Sequence, residues 1–530
     1  MKQTPLCQEI DLNEQFLKAF HIMEETEQNV FITGRAGTGK STLLDHFRHQ
    51  TEKKVAILAP TGVAAVNVKG QTIHSFFKFK PNITPQTIKR LKESGDKKKN
   101  IYQKLEMIII DEISRVRADL LDCVDKFLRL NGKNTKRPFG GVQMVFIGDL
   151  YQLPPVVTSQ EKAIFSSYYE TPYFFSAHVF KDFEMDFLEL EKIYRQKDET
   201  HIQLLNAIRN NSITEEGLEK INARYDPDFE PRTNDFFIYL TPTNAQASLI
   251  NEKELGKVKG KFYEFHARVS GDFSKEYYPT ALALQVKMGA QVMMLNNDAN
   301  QRWVNGTIGK VVDIYADEED RHVISIRMEQ GKTCEVYPYT WEIYKFSLEE
   351  NQLRSGIVGT YTQYPLMLAW AVTIHKSQGK TFERVIIDMG KGAFAHGQSY
   401  VALSRCTSLD GMVLKKRFAK NHIWMDHNVV KFLTRYQYQK SEEACPVEDK
   451  ITLIQKAITS GKNLHIVYLK ANDEKSTRMI KPHTVGERVY SGKSYVGMEG
   501  YCHTRQENRI FRVDRILDLK IAEEKSVNEH

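Results

Sequence analysis

The sequence predicts an α/β protein with two parallel-sheet lobes followed by a small β-rich unit, and three observations carry that reading. Short apolar runs at residues 29–33, 55–59, 107–110 and 142–147 alternate with helical patterns, as strands covered on both faces by helices do. The same pattern returns at residues 236–240 and 385–388, too far along to complete the first sheet, so a second lobe is expected. At 530 residues the chain also exceeds what one core organises.

The boundaries follow from where these patterns change. The first lobe is expected over residues 1–185, with a polar, Lys-rich excursion at about 78–105 that reads equally as a solvated face or a nucleic-acid contact. The second lobe is placed at 186–436. Within it, residues 304–361 alternate apolar and polar positions between Gly-containing turns, as a β insertion does. A polar stretch at 437–450 is read as a linker, and 451–520 as a separate C-terminal unit.

Composition narrows the class without deciding it. With 41% hydrophobic and 27% charged residues, ordinary cores are expected and disorder is not the default. A formal charge of +7 suits a polyanionic partner but is far from the density of a basic tail. The six cysteines, Cys7, Cys123, Cys334, Cys406, Cys445 and Cys502, show no metal-ligand spacing and read as free thiols. No long uncharged apolar run is present, so a cytoplasmic location is expected.

The first chemical signal is Gly34-Arg35-Ala36-Gly37-Thr38-Gly39-Lys40-Ser41, between an apolar strand and the helical Thr42-Leu43-Leu44. This is a P-loop in its required context: glycines let backbone N–H groups converge on phosphate oxygens, and the helix adds its positive end. Gly37, Thr38, Gly39, Lys40, Ser41 and Thr42 would hold ATP, with Lys40 on the β and γ phosphates. Ser41 would ligate Mg²⁺. A second acidic site follows the strand at 107–110, where Asp111 would hold Mg²⁺ through water and Glu112 would orient or deprotonate the attacking water. Phosphoryl transfer also needs cations on the developing charge, and Arg195 and Arg405 are candidates from the second lobe. On spacing alone each reads first as a surface arginine.

Taken in order, these pieces resemble the PIF (petite integration frequency) helicase family, in the RecD-related branch of superfamily one. The likeness runs over about residues 10–430. It includes Leu12-Asn13-Glu14-Gln15, Ala59-Pro60-Thr61-Gly62, Gln71-Thr72-Ile73-His74-Ser75-Phe76-Phe77, Ile110-Asp111-Glu112 and Gly148-Asp149-Leu150-Tyr151-Gln152-Leu153-Pro154-Pro155. It continues through Tyr194-Arg195-Gln196, Thr241-Pro242-Thr243-Asn244, His375-Lys376-Ser377-Gln378-Gly379 and the segment ending at Arg405. The resemblance implies RecA-like lobes, a wedge domain at about 78–105 and an SH3-like subdomain at 304–361. It implies that Gln15 reads adenine, that Gln152 couples the γ-phosphate site to DNA, and that Arg195 and Arg405 are arginine fingers. The implied single-strand track comprises Thr61, His74, Phe76, Phe77, Pro155, Asn244, His375 and Lys376, phosphate donors beside flat surfaces. For Phe76 and Phe77 a core role stands beside this one.

The family implies an ATP- and Mg²⁺-dependent DNA helicase that moves 5′ to 3′ as a monomeric motor on single-stranded, tailed or forked DNA, with repair, recombination or telomere roles. G-quadruplexes and RNA–DNA hybrids stay open as substrates. The alternative is an ATP-gated DNA-binding switch without strand separation. The C-terminal unit is similar to a WYL domain, a bacterial regulatory module of SH3-type β fold, through Ile466-Val467-Tyr468, Arg478, Pro482 and residues 509–516, although the naming triplet has become Ser494-Tyr495-Val496. That likeness implies a bacterial, nucleoid-associated protein. Aromatic and basic residues interleave over 490–516, which suits either nucleic-acid binding or a β core with solvated arginines.

Overall fold

A computed structural model describes residues 12–80, 83–91, 101–157, 159–196, 198–232, 235–349, 352–390, 396–423, 425–490 and 492–522. The chain divides into two compact units, one of residues 1–209 and 213–424, the other of residues 210–212 and 425–530.

In the first unit the four apolar runs of the first third do form strands, all parallel. The sheet runs Gln71–Thr72, Val55–Ala59, Met107–Ile110, Gln143–Ile147, Val30–Gly34, Asp186–Leu190. Its three central strands are buried along their whole length, which is why they read as continuous apolar runs. Against one face pack Phe16, Ala19, Ile22 and Met23 of the first helix and Leu43, Leu44 and Phe47 of the helix after the P-loop. The sixth strand corrects the expected boundary at 185/186: Asp186–Leu190 pairs with Val30–Gly34, so the first lobe reaches at least Leu190.

The second lobe has a four-stranded parallel sheet, ordered Ala371–Thr373, Ile238–Thr241, Val385–Ile387, Met412–Leu414. Its β insertion is wider than 304–361. A five-stranded antiparallel sheet takes in Gln291–Met294 and Leu366–Leu368, because Val292, Met294 and Leu366 complete the core around Val311, Ile324 and Ile326. A three-stranded sheet joins Arg268–Gly271 to the long hairpin of Tyr339–Glu349 and Gln352–Gln363. Much of the Lys-rich excursion, including Lys92, Lys97, Lys98 and Lys99, lies outside the described residues. What is described of it packs on helix Ala118–Asn131, with Ile88 buried and the Leu91 N–H donating to Asn131 Oδ1 at 2.8 Å.

The C-terminal unit is a five-stranded antiparallel sheet covered by two helices, His427–Ala444 and Val447–Thr459. Its core joins Ile454 and Ala457 to Leu464, Ile466, Ile480, Met498 and Phe511. The stretch 437–450 is therefore helix on either side of Cys445 and Pro446 rather than linker, and three of its polar residues, Gln437, Ser441 and Lys450, are buried. Lys450, 1% exposed, donates to Ser441 Oγ at 2.8 Å, which in turn donates to the Ile516 and Leu517 carbonyls, and Gln437 donates to Asp473. Such hydrogen bonds let a polar group stand buried, but in sequence it looks like surface. Among the described residues no helix is long and apolar enough to cross a membrane.

Candidate active site

The P-loop leaves the end of strand Val30–Gly34 and turns through Gly37 and Gly39, with φ of 86° and 87°, the left-handed region that glycine enters without penalty. Gly39 is the N-cap of helix Lys40–Gln50. At Gly37 a Cβ would also stand 2.5 Å from Arg195 Cβ, so the loop closes directly onto that segment. Lys40 Nζ donates to the carbonyls of Gly34 and Arg35 at 2.8 and 2.9 Å. Burial pulls its pKa down, opposed by the charges of Asp149 and Glu112. Ser41 and Thr42 are exposed on the first helical turn, while Thr38 is buried and bonded to the Arg35 carbonyl.

Asp111 and Glu112 follow the fully buried strand Met107–Ile110. Both carboxyls are pushed up, by burial first; the charge of Glu112 adds to the effect on Asp111, whereas Arg115 and Lys40 oppose it on Glu112. Glu112 sits at φ 52°, ψ 40°, a left-handed backbone without glycine. Gln152 donates to Asp149 Oδ2 at 3.1 Å.

The second lobe reaches this centre through Gln378. Its Nε2 donates to Glu112 Oε2 at 3.0 Å and to Gln152 Oε1 at 2.9 Å. Gln378 belongs to the quoted His375-Lys376-Ser377-Gln378 segment but was not among the expected site residues. Arg405 is also brought in. It is 1% exposed, and its guanidinium donates to the carbonyls of Val401, Lys380 and Ser377 and to Ser404 Oγ. Burial and then the charge of Arg195 pull its pKa down, yet a guanidinium with each nitrogen bonded to oxygen stays protonated. Arg195 is not a second-lobe residue. It follows the last strand of the first sheet, the Tyr194 N–H donates to the Gly37 carbonyl at 2.9 Å, and its guanidinium faces the Ser404 and Gly379 carbonyls at 3.5 and 3.3 Å.

Gln15 lies one residue into the first helix, whose N-cap Asn13 accepts the Phe16 N–H. Its amide pairs both ways with Glu191 and so stands beside the Tyr194 segment, where the exposed Tyr194 ring is next to Gly39.

The expected DNA-track residues separate into two groups. Thr61, His74, Asn244, His375 and Lys376 all follow the carboxyl ends of parallel strands, where open α/β sheets bind ligands. Asn244 and Lys376 are exposed, and the other three half-buried. Phe76 and Phe77, by contrast, are core. They are 4% and 2% exposed and pack on Phe79, Tyr102 and Phe127 with ring centroids 4.8–5.9 Å apart. Pro155 is buried too, and its neighbour Val156 is the exposed apolar residue, at 70%.

Among the described residues no group of three or more His, Cys, Asp and Glu could hold a metal ion. A hydroxyl and one or two carboxylates beside a phosphate site are nonetheless the donor set Mg²⁺ takes, because it keeps several waters, and Ser41 with Asp111 fits that set.

Residues 12–218 match the family model described as PIF1-like helicase, and residues 449–521 that of the WYL domain. The ATP-dependent DNA helicase Pif1 of Bdellovibrio bacteriovorus is 33% identical over 418 residues, covering 77% of this chain and 88% of that protein. The chain belongs to the PIF1-like helicase family. It spans only about three-fifths of some relatives: 62% of PIF1 from Emericella nidulans, at 30% identity, and 58% of human PIF1, at 34%. Those matches take in 79% and 73% of this chain. Among solved structures, unliganded Pif1 from Bacteroides sp superposes with a TM-score of 0.73 at 37% identity, over 81% of this chain and 98% of that one. The same protein in complex with ADP-AlF4 gives 0.73 at 36% identity with the same coverage.

Proposed function

We propose that this chain is an ATP-dependent DNA helicase that translocates 5′ to 3′ on single-stranded DNA and separates duplex DNA ahead of it. The observation that carries the reading is the Gln378 bridge. One second-lobe amide, two residues beyond Lys376 and three beyond His375, holds both Glu112 and Gln152 of the first lobe. A strand lying on His375 and Lys376 is thereby linked through a short backbone path to the group that activates water. A switch that only clamps DNA has no need of such a link.

Bound ATP with Mg²⁺ supplies the phosphoryl group whose transfer to water drives the cycle. Around it Lys40 and the P-loop amides compensate phosphate charge, and Ser41 and Asp111 hold the ion. Glu112 takes the proton of the attacking water, and Arg195 and Arg405 face the charge that develops. Gln15 reads the base. Thr61, His74, Asn244, His375 and Lys376 form the strand track, with backbone-directed donors that do not distinguish sequence. The polarity rests on the likeness to the PIF family. Single-stranded, tailed and forked DNA are the proposed substrates, a monomer the working form, and the bacterial cytoplasm, at the nucleoid, the place of action. The WYL unit is proposed as a regulatory or DNA-binding module.

The test is strand displacement on duplexes with either a 5′ or a 3′ single-stranded tail, with and without ATP. Displacement from the 5′ tail only, requiring ATP, is expected. ATP hydrolysis with no displacement on either substrate would favour the switch, and displacement from the 3′ tail would reverse the polarity.

A further inference from the structure

Arg405 lies just beyond the short helix Gln398–Leu403, and the start of that helix is seated on the first lobe. Its N-cap, Gly397, has φ 73°, and a Cβ there would stand 2.3 Å from the Gln152 carbonyl oxygen and 2.4 Å from that of Tyr151. His396 Nε2 is 3.3 Å from the Leu150 carbonyl. The helix therefore meets the segment carrying Asp149 and Gln152 backbone to backbone. One turn on, Tyr400 is 4% exposed, and its hydroxyl oxygen accepts the Ala36 N–H of the P-loop at 3.0 Å. Arg209, equally buried, completes the surroundings: its guanidinium stacks 4.0 Å from the Tyr151 ring centroid and stands 3.7 Å from Asp149 Oδ1.

We propose that Tyr400 is a positioning residue for ATP turnover, its hydroxyl tying the phosphate-binding loop at Ala36 to the helix that carries Arg405. The inference rests on the ATP-hydrolysing reading of the site. A phenylalanine ring would fill the same core, so the hydroxyl is needed only for the bond it makes. That bond satisfies a buried backbone N–H, which is costly to leave unpaired. It also joins residues 364 positions apart, one in the loop that wraps phosphate and one five residues before an arginine that acts on it. While that bond is made, the loop and the helix that carries the arginine are held at a fixed separation.

A double-mutant cycle tests this, with steady-state ATP hydrolysis measured at saturating single-stranded DNA. Tyr400→Phe should lower kcat by about fivefold, the scale of one buried hydrogen bond, with the KM for ATP changed less than about twofold. In an Arg405→Lys background the same change should cost less than about twofold more, because the tie acts through that arginine. A wild-type kcat in Tyr400→Phe, or the same proportional loss in both backgrounds, overturns the proposal; the second result would mark a merely structural hydroxyl. If the wild-type chain hydrolyses no ATP, the functional reading fails by itself and the tie is judged by hydrogen exchange. The P-loop amides should then exchange about tenfold faster in Tyr400→Phe than in wild type, and equal exchange would overturn it.

Discussion

Lys40 is the residue whose loss should be felt most directly. Its ammonium is the P-loop's own cation and is set in buried surroundings, where charge compensation is worth more than in water. Lys40→Ala should cut ATP turnover by about 10²–10³, the range found when one transition-state donor is removed, and phosphate release at saturating single-stranded DNA measures it. Glu112→Gln should bind nucleotide but hydrolyse it poorly, since the amide keeps the shape and loses the basicity; equilibrium binding of a fluorescent ADP separates the two effects. Burial pushes the Glu112 and Asp111 carboxyls up, so the base is protonated, and useless as a base, at a higher pH than an ordinary carboxylate. Turnover should therefore begin to fall on acidification at a higher pH than an ordinary carboxylate would give, and a rate flat down to pH ~4, the usual carboxylate range, would contradict this. Motif spacing made Lys40 and Glu112 legible, because the chemistry of phosphate dictates residue types at fixed intervals, whereas Gln152 and Arg405 were readable only through the family resemblance. Gln378 escaped since an amide's partner is not encoded near it: Glu112 is 266 positions away. Phe76 and Phe77 were ambiguous for the same reason, as the rings of Tyr102 and Phe127 that enclose them come from other elements.

At the scale of elements, runs buried on both faces were readable because nothing polar interrupts them, as at Met107–Ile110 and Gln143–Ile147. Asp186–Leu190 was not, since an edge strand keeps its polar residues: Asp186 is exposed and Glu189 half-buried. Two predictions belong here. Gly397→Ala should unseat the helix Gln398–Leu403, because the methyl meets two carbonyl oxygens and the left-handed backbone adds a further cost of about 1–2 kcal/mol. Thermal denaturation should show the loss, and ATP turnover should fall with it. In the β insertion, Glu329 has a buried Oε1 without a hydrogen-bond partner, and burial, with Glu383 nearby, pushes its carboxyl from 4.5 up to about 7. The folded form thus holds a proton that the unfolded chain releases at lower pH. Stability from this group is complete below about 4.5 and is lost as pH rises through about 7. Glu329→Gln should accordingly raise the Tm most above neutral pH, with a gain that shrinks on acidification. An equal gain at every pH would assign the effect to packing instead.

For the whole molecule, the presence of a separate core in each unit makes the C-terminal unit removable. Ending the chain before Met425 should leave a folded, DNA-stimulated ATPase. Ending it near residue 440 should not give a clean product, because helix His427–Ala444 would be cut before Ser441, which bonds the Ile516 and Leu517 carbonyls, and buried Gln437 would lose Asp473. Size-exclusion chromatography and melting curves of the two truncations would compare them, and an insoluble first truncation would refute the partition. The second unit also includes residues 210–212, where Asn472 donates to the Asn210 carbonyl at 3.1 Å, so the shorter protein should exchange amide hydrogens faster around that turn. Global stability also bears on Glu112. A long acidic side chain on a left-handed backbone holds the folded state above its attainable minimum by about 1 kcal/mol, which glycine would recover. Selection for heat tolerance alone would favour losing the carboxylate there, so its persistence in a thermally selected population would measure the demand for catalysis rather than for folding.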